Sequence, residues 1–371
     1  MIAVMKHSGH SSRLRALAAI GLSEEAFVLA VLEAMHGAIP SSRNLFDWTD
    51  TNGQLTRYYF EGPIDHRINE HYFEAFHNKR EGAAMPLFRD AVMGSAVVNS
   101  AEQIDRPEFF RSALYNEIWR PQRLHTRIEA VVRNGLGQPL GSLVLYRGPG
   151  ERKFTREDEA LLAQLVPYIA RGLEHGKRVH TDGEYVAHPA RRAVVVLGTD
   201  GELERLSPDA LKLLLLSHGG ITPAGASRRP RREDFATLTA LWQLNQTAPS
   251  NGGPNVMLTV ESSAGRFVFE SCALRALEGD LLSALHVTVQ HHEPRLVAIR
   301  RALDSLSLTP TQKEICVHLR GGHTQAEIAK IVGTSESTVV DHVKKIYGRL
   351  DIHSVQELCS LIQRLIGQQP S

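Results

Sequence analysis

The chain of 371 residues is poor in cysteine and has no long hydrophobic run. Its three cysteines, Cys272, Cys316 and Cys359, are far apart and form no CxxC pair or Cys/His ligand spacing. We therefore expect neither a disulfide framework nor a metal site. No stretch of about 18 uninterrupted apolar residues is present, so no membrane span is expected. The first residues lack the apolar core of a signal peptide, and a reducing cytoplasm fits these absences.

Motifs of common catalytic sites are also missing. Ser142 and Ser263 lie in no GxSxG nucleophile elbow, and the chain has no Walker or GxGxxG phosphate-binding loop. The start of the chain lacks the clustered acids of a phosphoryl-accepting receiver domain. We therefore expect a protein that is not an enzyme, and no residue pattern argues for a bound cofactor.

Charge of one sign is not in excess, because 42 lysines and arginines nearly balance 41 acids and leave a formal net charge of +1. Any affinity for nucleic acid must then come from a local basic face. The composition, 42% hydrophobic and 22% charged, is that of a globular chain with material for more than one core. The length predicts about two to three domains.

The first predicted domain covers residues 23–176 and is of the α+β class. It begins with helical spacing over residues 24–35 and ends with a long helix after Phe154. Strand-like segments lie between these helices, at residues 44–48, 55–60, 127–133 and 140–146. Thr155 and Asp158 resemble a capping box, and Pro167 is expected to kink the closing helix. Residues 1–22 are expected to form an N-terminal tail.

The second predicted domain, residues 185–292, is again α+β. A helix is expected after Ser207, and the strand-like segments are residues 193–197, 255–260 and 281–289, with residues 266–270 as a further candidate. Residues 293–307 are expected to form a connecting helix. Residues 304–369 show helical patterns alone, so the whole chain is predicted as two α+β domains followed by an all-α domain, and we find no internal repeat.

Residues typical of helix caps recur along the last predicted domain, residues 304–369. Capping boxes are predicted for Thr309 with Gln312, Thr324 with Glu327 and Ser354 with Glu357, and Ser335 is a further N-cap. Gly321-Gly322, Gly333 and Asp351 fall where helices should stop. The pattern predicts four helices, at about residues 310–320, 325–332, 336–350 and 355–366. A tight turn at residues 333–334 joins the second and third helices, which makes residues 325–344 a helix-turn-helix motif.

The third helix has two different faces. One is a buried apolar stripe of Val339, Val343, Ile346 and Leu350. The other carries the candidate DNA-contacting residues, which are Ser337, Thr338, Val340, Asp341, Lys344, Lys345 and, to one side, Arg349. Its cations can neutralise phosphates, and Lys344 can also reach a guanine edge. Capping boxes and an apolar stripe alone also fit a helical interaction module, and the segment from Thr309 has seven basic residues against six acids.

The residue pattern of this segment resembles the LuxR-type helix-turn-helix domain. The matching positions are Leu308-Thr-Pro310, Glu314, Gly322, Glu327-Ile-Ala329, Gly333, Ser335, Thr338-Val339, His342, Ile346, Leu350 and Ile352. The resemblance implies a transcription regulator that binds double-stranded DNA with its third helix, often as a homodimer through its fourth. Members of the family very often have lysine where this chain has Val340, and Asp341 adds an acid, so unusual base preferences are expected.

The upstream domains resemble sensor domains. Residues 140–146, Phe154 to Asp158 and the helix that follows are similar to a GAF-type domain, and the second domain is similar to a PAS-type domain at the level of fold. Such folds can hold a small-molecule effector. Five aromatic residues either line a cleft for it or are ordinary core residues; they are Trp48, Tyr58, Phe60, Phe73 and Trp119.

Two further groups have alternative interpretations. His286, His291 and His292 either bind haem or a metal, or are satisfied or exposed histidines without a ligand. The arginines of residues 228–232 either contact phosphate or a partner, or lie on a solvated loop. The predicted protein is thus a cytoplasmic, dimeric regulator that senses a small molecule or partner. The alternatives are a haem or flavin sensor and a regulator controlled by phosphorylation or a partner protein.

Overall fold

A computed structural model describes residues 2–176, 184–246, 255–275 and 282–367. The helices are α1 Ile2–Ala18, α2 Glu24–Ala38, α3 His66–His71, α4 Phe88–Met93, α5 Pro107–Arg111, α6 Arg156–Gly176, α7 Ala210–Ser217, α8 Pro223–Ser227, α9 Ala236–Gln246, α10 Arg295–Asp304, α11 Pro310–Arg320, α12 Gln325–Val332, α13 Glu336–Leu350 and α14 Val355–Gly367. The strands are β1 Arg43–Thr49, β2 Leu55–Phe60, β3 Val98–Asn99, β4 Thr126–Arg133, β5 Pro139–Arg147, β6 Tyr185–Gly198, β7 Leu203–Leu206, β8 Val256–Ser262, β9 Gly265–Arg275 and β10 Leu282–Pro294. Residue 281 of a predicted strand, residue 1 of the predicted tail and residues 368–369 of the predicted last domain lie outside the described residues.

Two antiparallel sheets precede the helical domain, which confirms the predicted order of two α+β regions followed by an all-α region. The strand orders are β2-β1-β5-β4-β3 and β7-β6-β10-β9-β8. Within each sheet the order is therefore second, first, fifth, fourth and third, so the two domains share a topology that no sequence repeat indicates. Among the described helices, none is long and apolar enough to cross a membrane.

The first sheet lies between two layers. Successive side chains on a strand point to opposite faces, so one face presents Phe46, Ile128 and Leu143 to the core formed with α2 and α6. The other face presents Leu45, Asp47 and other side chains to the segment between β2 and β4, which folds into α3, α4, α5 and short π- and 3-10-helical turns. The sequence pattern predicts none of these short helices.

The expected N-terminal tail is instead helix α1, which packs on the first domain. Leu14 and Leu17 are buried in the main core, and Leu22 follows them there. The Arg13 guanidinium also pairs with the Asp304 carboxylate at the end of α10, at 2.6 Å. The apolar residues of α1 do not gather on one face of the helix, so helical periodicity does not mark it and it is recognisable only from its packing partners.

Helix α6 begins at the predicted capping box and continues through Pro167. The Thr155 amide donates to the Asp158 carboxylate at 3.1 Å, and the Asp158 amide donates to the Thr155 hydroxyl at 3.2 Å. The same carboxylate accepts hydrogen bonds from Arg147, which is only 2% exposed. Asp158 thus fixes the start of α6 and neutralises a buried guanidinium at the end of β5.

We expect Asp158→Ala to destabilise the first domain by about 3–5 kcal/mol, because it leaves Arg147 buried without its counter-charge. The measurement is the urea midpoint followed by circular dichroism. Arg152→Ala is the matched control, since Arg152 contacts the same carboxylate with a side chain that is 60% exposed and should contribute about 1 kcal/mol or less. Equal losses for the two variants would contradict the assignment.

Candidate functional site

The C-terminal domain is built from α11–α14, whose first residues are those that the caps predict. The Thr309 and Thr324 side chains accept from the amides of Gln312 and Glu327, and both reciprocal hydrogen bonds of each capping box are present. At α14 the Glu357 amide donates to the Ser354 hydroxyl at 3.2 Å, as predicted. The reciprocal donor there is the amide of His353.

The turn between α12 and α13 is tight because of Gly333. Its φ of 70° and ψ of 42° lie in the left-handed region, which glycine adopts without steric cost. Two residues later the Ser335 side chain accepts from the Thr338 amide at 3.2 Å and starts α13. Ile328 on α12 and Val339 on α13 are both fully buried, so the two helices are held in a fixed orientation.

Helix α13 exposes the face that the sequence predicts. Val339, Val343 and Ile346 are buried, whereas Leu350 is half-buried. The exposed residues include Ser337, Thr338, Asp341, Lys344, Lys345 and Arg349, while Val340 is half-buried among them. In the described part of the chain no acid forms an ion pair with Lys344 or Lys345. Both ammonium groups are therefore available to an anionic partner.

Arg349, unlike Lys344 and Lys345, forms hydrogen bonds within the domain. Its guanidinium donates to the Ser307 carbonyl at 3.3 Å and to the Gln312 side chain at 3.2 Å. It therefore links the end of α13 to the capping box of α11. A contact from Arg349 to phosphate would have to replace these hydrogen bonds.

Helix α10 joins the helical domain to the rest of the chain and is buried on two sides. Val297 belongs to the core of the sheet domains, whereas Ala298, Ile299 and Leu303 belong to the core of the helical domain. Arg301 pairs with Glu293 on β10 at 2.9 Å and with Glu33 on α2 at 3.4 Å. The predicted connecting helix is thus a shared structural element rather than a free linker.

The junction around Arg301 is a cluster of partly buried charges. His188 lies 3.5 Å from the Glu33 carboxylate, and Arg191 lies 3.8 Å from it. Burial raises the pKa of Glu33, but the hydrogen bond from His188 and the two arginines outweigh it and lower that pKa to about 2. Ligand atoms of Glu33, His188 and Glu293 lie within 4.8 Å of one another, a spacing that suits a metal ion. The paired arginines already supply the positive charge that an ion would bring.

His291 and the arginine loop have local partners. The His291 ring donates from Nε2 to the Ala264 carbonyl at 2.8 Å and is almost fully buried, whereas His286 and His292 are half-buried in the second sheet. In the loop, Arg228 pairs with Asp234, and Arg232 pairs with Glu233 at 2.6 Å. These pairs favour the interpretation of a solvated loop.

A cavity of about 100 Å³ lies under the first sheet, between the sheet and α3, α4 and the turns around them. Of the five aromatic residues considered from the sequence, it is lined by Tyr58, Phe60, Phe73 and Trp119. Trp48 lies on the opposite face of the sheet, where its ring is 4.9 Å from that of Phe46. The strand register separates it from the others. Asp47, Arg127 and Tyr146 also line the cavity and were missed as candidates.

We expect the protein to lose stability as the pH falls from about 6.5 towards 4, with His188 as one cause. Burial lowers the pKa of His188 to about 4, so over this range the unfolded chain binds a proton that the folded chain does not. The lost stability approaches about 1.4 kcal/mol per pH unit for one such group.

Urea midpoints measured between pH 7 and pH 4.5 check this expectation. The decline should be shallower in His188→Gln than in the unchanged protein. His175→Gln, at an exposed position near the end of α6, should leave the decline unchanged. Parallel curves for all three proteins would show that His188 does not titrate in this way.

Comparison with known proteins identifies the helical domain. Residues 306–362 match the family model described as bacterial regulatory proteins, luxR family. No curated protein matches the chain.

Solved structures with some similarity include a phage VqmA–DPO complex, at 16% identity over 49% of this chain and 88% of the other, with a TM-score of 0.23. A Vibrio cholera VqmA–ligand–DNA complex shows 16% identity over 48% and 85%, with a TM-score of 0.24. The E. coli DhaR(N)–DhaL complex shows 14% over 77% and 89%, with a TM-score of 0.24. At these TM-scores the similarity defines neither the fold nor the function of the present chain. The family match does apply to its last helices: residues 306–362 form a DNA-binding helix-turn-helix domain of the luxR family of bacterial regulatory proteins.

Proposed function

We propose that the protein is a cytoplasmic, dimeric, sequence-specific transcription regulator whose two upstream domains sense a small molecule or a partner. The observation that carries this proposal is the luxR-family domain, whose α13 presents an exposed polar face without ion pairs to its lysines. The upstream domains are proposed to be GAF-like and PAS-like sensors. The cavity under the first sheet and the shared strand order support that role.

In the proposed complex, α13 lies in the major groove of double-stranded DNA. Ser337 and Thr338 are near its N-terminus and Lys345 is nearer the phosphates, while Lys344 contacts a phosphate or a guanine. Val340 suits contact with a thymine methyl group, and Asp341 can accept a hydrogen bond from a cytosine amine. Because Arg349 is held inside the domain, we assign it chiefly to supporting the end of α13. This surface is less basic than a typical phosphate-binding face.

The regulatory step is proposed to act through α10. An effector shifts a conformational equilibrium only to the extent that it binds the two states with different affinities. Helix α10 contacts both cores, and Arg301 contacts both Glu33 and Glu293. A change in how the sheet domains pack therefore also changes the position of the DNA-binding domain of residues 306–362, which we call the head. In a dimer, such a change alters the spacing of the two recognition helices.

Lys344→Ala tests the groove assignment in the full-length protein. If Lys344 contacts a phosphate, affinity should fall for all DNA sequences, and the slope of log affinity against log salt should decrease by about one. If it reads a base, the loss should be concentrated at one position of the binding site, by about 1–3 kcal/mol. Fluorescence anisotropy at several salt concentrations measures both quantities.

The control for this test is Arg320→Ala, which removes an equal charge from the end of α11 in the same domain, outside both α13 and α14. It should leave the base preference unchanged and have the smaller effect on affinity. DNA binding by Lys344→Ala that equals that of the unchanged protein, in affinity and salt slope, would refute the placement of α13 in the groove.

A further inference from the structure

The cavity face of the first sheet carries polar residues where a hydrophobic core needs none. The strand register pairs Asp47 with Ser142, and Arg127 with Tyr146, so these side chains share one face with Glu129. Asp47 is 7% exposed, Glu129 is 1% exposed and Ser142 is fully buried. Burying polar and charged groups is costly unless they have partners, so this arrangement requires a reason.

Most of these groups have a partner within the sheet. Arg127 donates to one oxygen of the Glu129 carboxylate at 3.1 Å. The Ser142 hydroxyl is a hydrogen-bond partner of the Asp47 carboxyl. Within the described residues the other Glu129 oxygen, Oε1, is buried without a partner, but Glu129 does not line the cavity. Buried polar atoms in folded proteins are nearly always hydrogen-bonded. Of the polar residues on this face, Asp47, Arg127 and Tyr146 line the cavity, so Asp47 is the carboxyl group that a molecule in the cavity can reach.

Asp47 is the carboxyl group that lines the cavity, and it forms no ion pair with the residues that the structure describes. The structure gives it no lysine or arginine at salt-bridge distance within the described ranges. Burial raises the pKa of Asp47 well above its usual range and the nearby Glu129 adds to this, against smaller opposite effects of Arg127 and the Ser142 hydroxyl. Arg127 is already paired with Glu129, which does not line the cavity, so the Asp47 carboxyl has no counter-charge of its own among the described residues. A ligand that brings a positive charge supplies one when Asp47 ionises, whereas an anionic ligand does not.

The walls of the cavity favour the same class of ligand. They consist largely of aromatic rings, including Phe60, Phe73 and Trp119. Aromatic faces attract cations, and in a desolvated site the attraction reaches about 2 kcal/mol. The Tyr58 hydroxyl is already committed to Asn69 at 2.9 Å, and the Tyr72 hydroxyl to Glu81 at 3.0 Å. Asp47 therefore remains as an acceptor for a ligand.

The size of the cavity limits the ligand. Its volume of about 100 Å³ is of the same order as the apolar cavity of about 150 Å³ that holds benzene in an engineered protein. A molecule with one ring, or with a short apolar body of similar size, fits this space. Larger cofactors such as haem or flavin do not.

We propose that this cavity binds a small amine with a single ring, whose protonated nitrogen forms an ion pair with the Asp47 carboxylate. An amine that arrives as an ammonium ion displaces the Asp47 proton to solvent, and an amine that arrives neutral takes that proton itself. Both routes give the same ammonium–carboxylate pair. The amine would be the small molecule that the proposed regulator senses, and this regulatory role rests on the proposed function. Binding of the amine to the cavity does not depend on that function.

Isothermal titration calorimetry of the full-length protein with three probes of one shape tests the proposal. Benzylamine, benzyl alcohol and benzoate share a ring but differ in the charge of the substituent. Benzylamine should bind at least about tenfold more tightly than the alcohol, as expected for a charge-assisted hydrogen bond, and benzoate should be the weakest. This comparison needs no variant, so it stands even if substitutions at the site impair folding.

Asp47→Asn locates the binding group. It should lower the affinity for benzylamine by about tenfold or more and leave that for benzyl alcohol nearly unchanged. Glu102→Gln is the control, because it removes a carboxylate whose side chain is 76% exposed. Quenching of tryptophan fluorescence by benzylamine should be lost in Trp119→Phe, which places the ligand in this cavity.

The outcomes separate this site from the proposed function. Equal or tighter binding of benzoate, no binding of benzylamine at millimolar concentration, or unchanged benzylamine affinity in Asp47→Asn overturns the proposal. DNA binding is measured separately without any amine. If benzylamine binds through Asp47 but the protein binds no DNA, the amine site stands and the proposed function fails.

Discussion

Helix α10 has to fit two hydrophobic cores at once, and the arrangement of the whole chain depends on this constraint. Val297 faces the sheet domains, whereas Ala298, Ile299 and Leu303 face the DNA-binding head. The Arg301 side chain, on the same helix, pairs with one carboxylate from each sheet domain, Glu33 in the first and Glu293 in the second. The helical domain is therefore packed against the sheet domains through α10 and is not joined to them by an extended linker. We propose that movements within the sheet domains are transmitted through α10 to α13.

Local signals predicted the helical head well because its structure is fixed by neighbouring residues. The capping boxes at Thr309 and Thr324, and the left-handed Gly333, act over three or four residues and define the helices almost to the residue. The strands with alternating residues were recognised for the same reason. Helix α1 and the short helices between β2 and β4 were not, because their stability comes from distant packing. The contact between Arg301 and Glu33 spans 268 positions, and no local pattern can indicate it.

The two candidate sites also differ in whether local sequence signals or distant packing determine them. The exposed face of α13 follows from helical periodicity, so its residues could be chosen from the sequence. The cavity was suggested only by its aromatic residues, and Trp48 was grouped with them because sequence does not reveal which face of a strand meets a cavity. In the strand pattern Asp47 lies between Phe46 and Trp48, so its side chain points to the face opposite theirs, and nothing local shows whether that face is covered. The structure shows that Asp47 is buried because the short helices between β2 and β4 cover this face of the sheet.

We propose that the helical domain of residues 306–362 reads a DNA sequence as a symmetric pair. Selection of bound fragments from a random DNA pool by the full-length protein measures this most directly, because it yields the sequence and the spacing of half-sites together. The account predicts enrichment of two inverted half-sites whose centres lie about one helical turn, roughly 10–10.5 base pairs, or a multiple of it, apart. Failure to enrich any sequence would contradict the claim of specific recognition, and enrichment of single, unpaired sites would contradict the dimer.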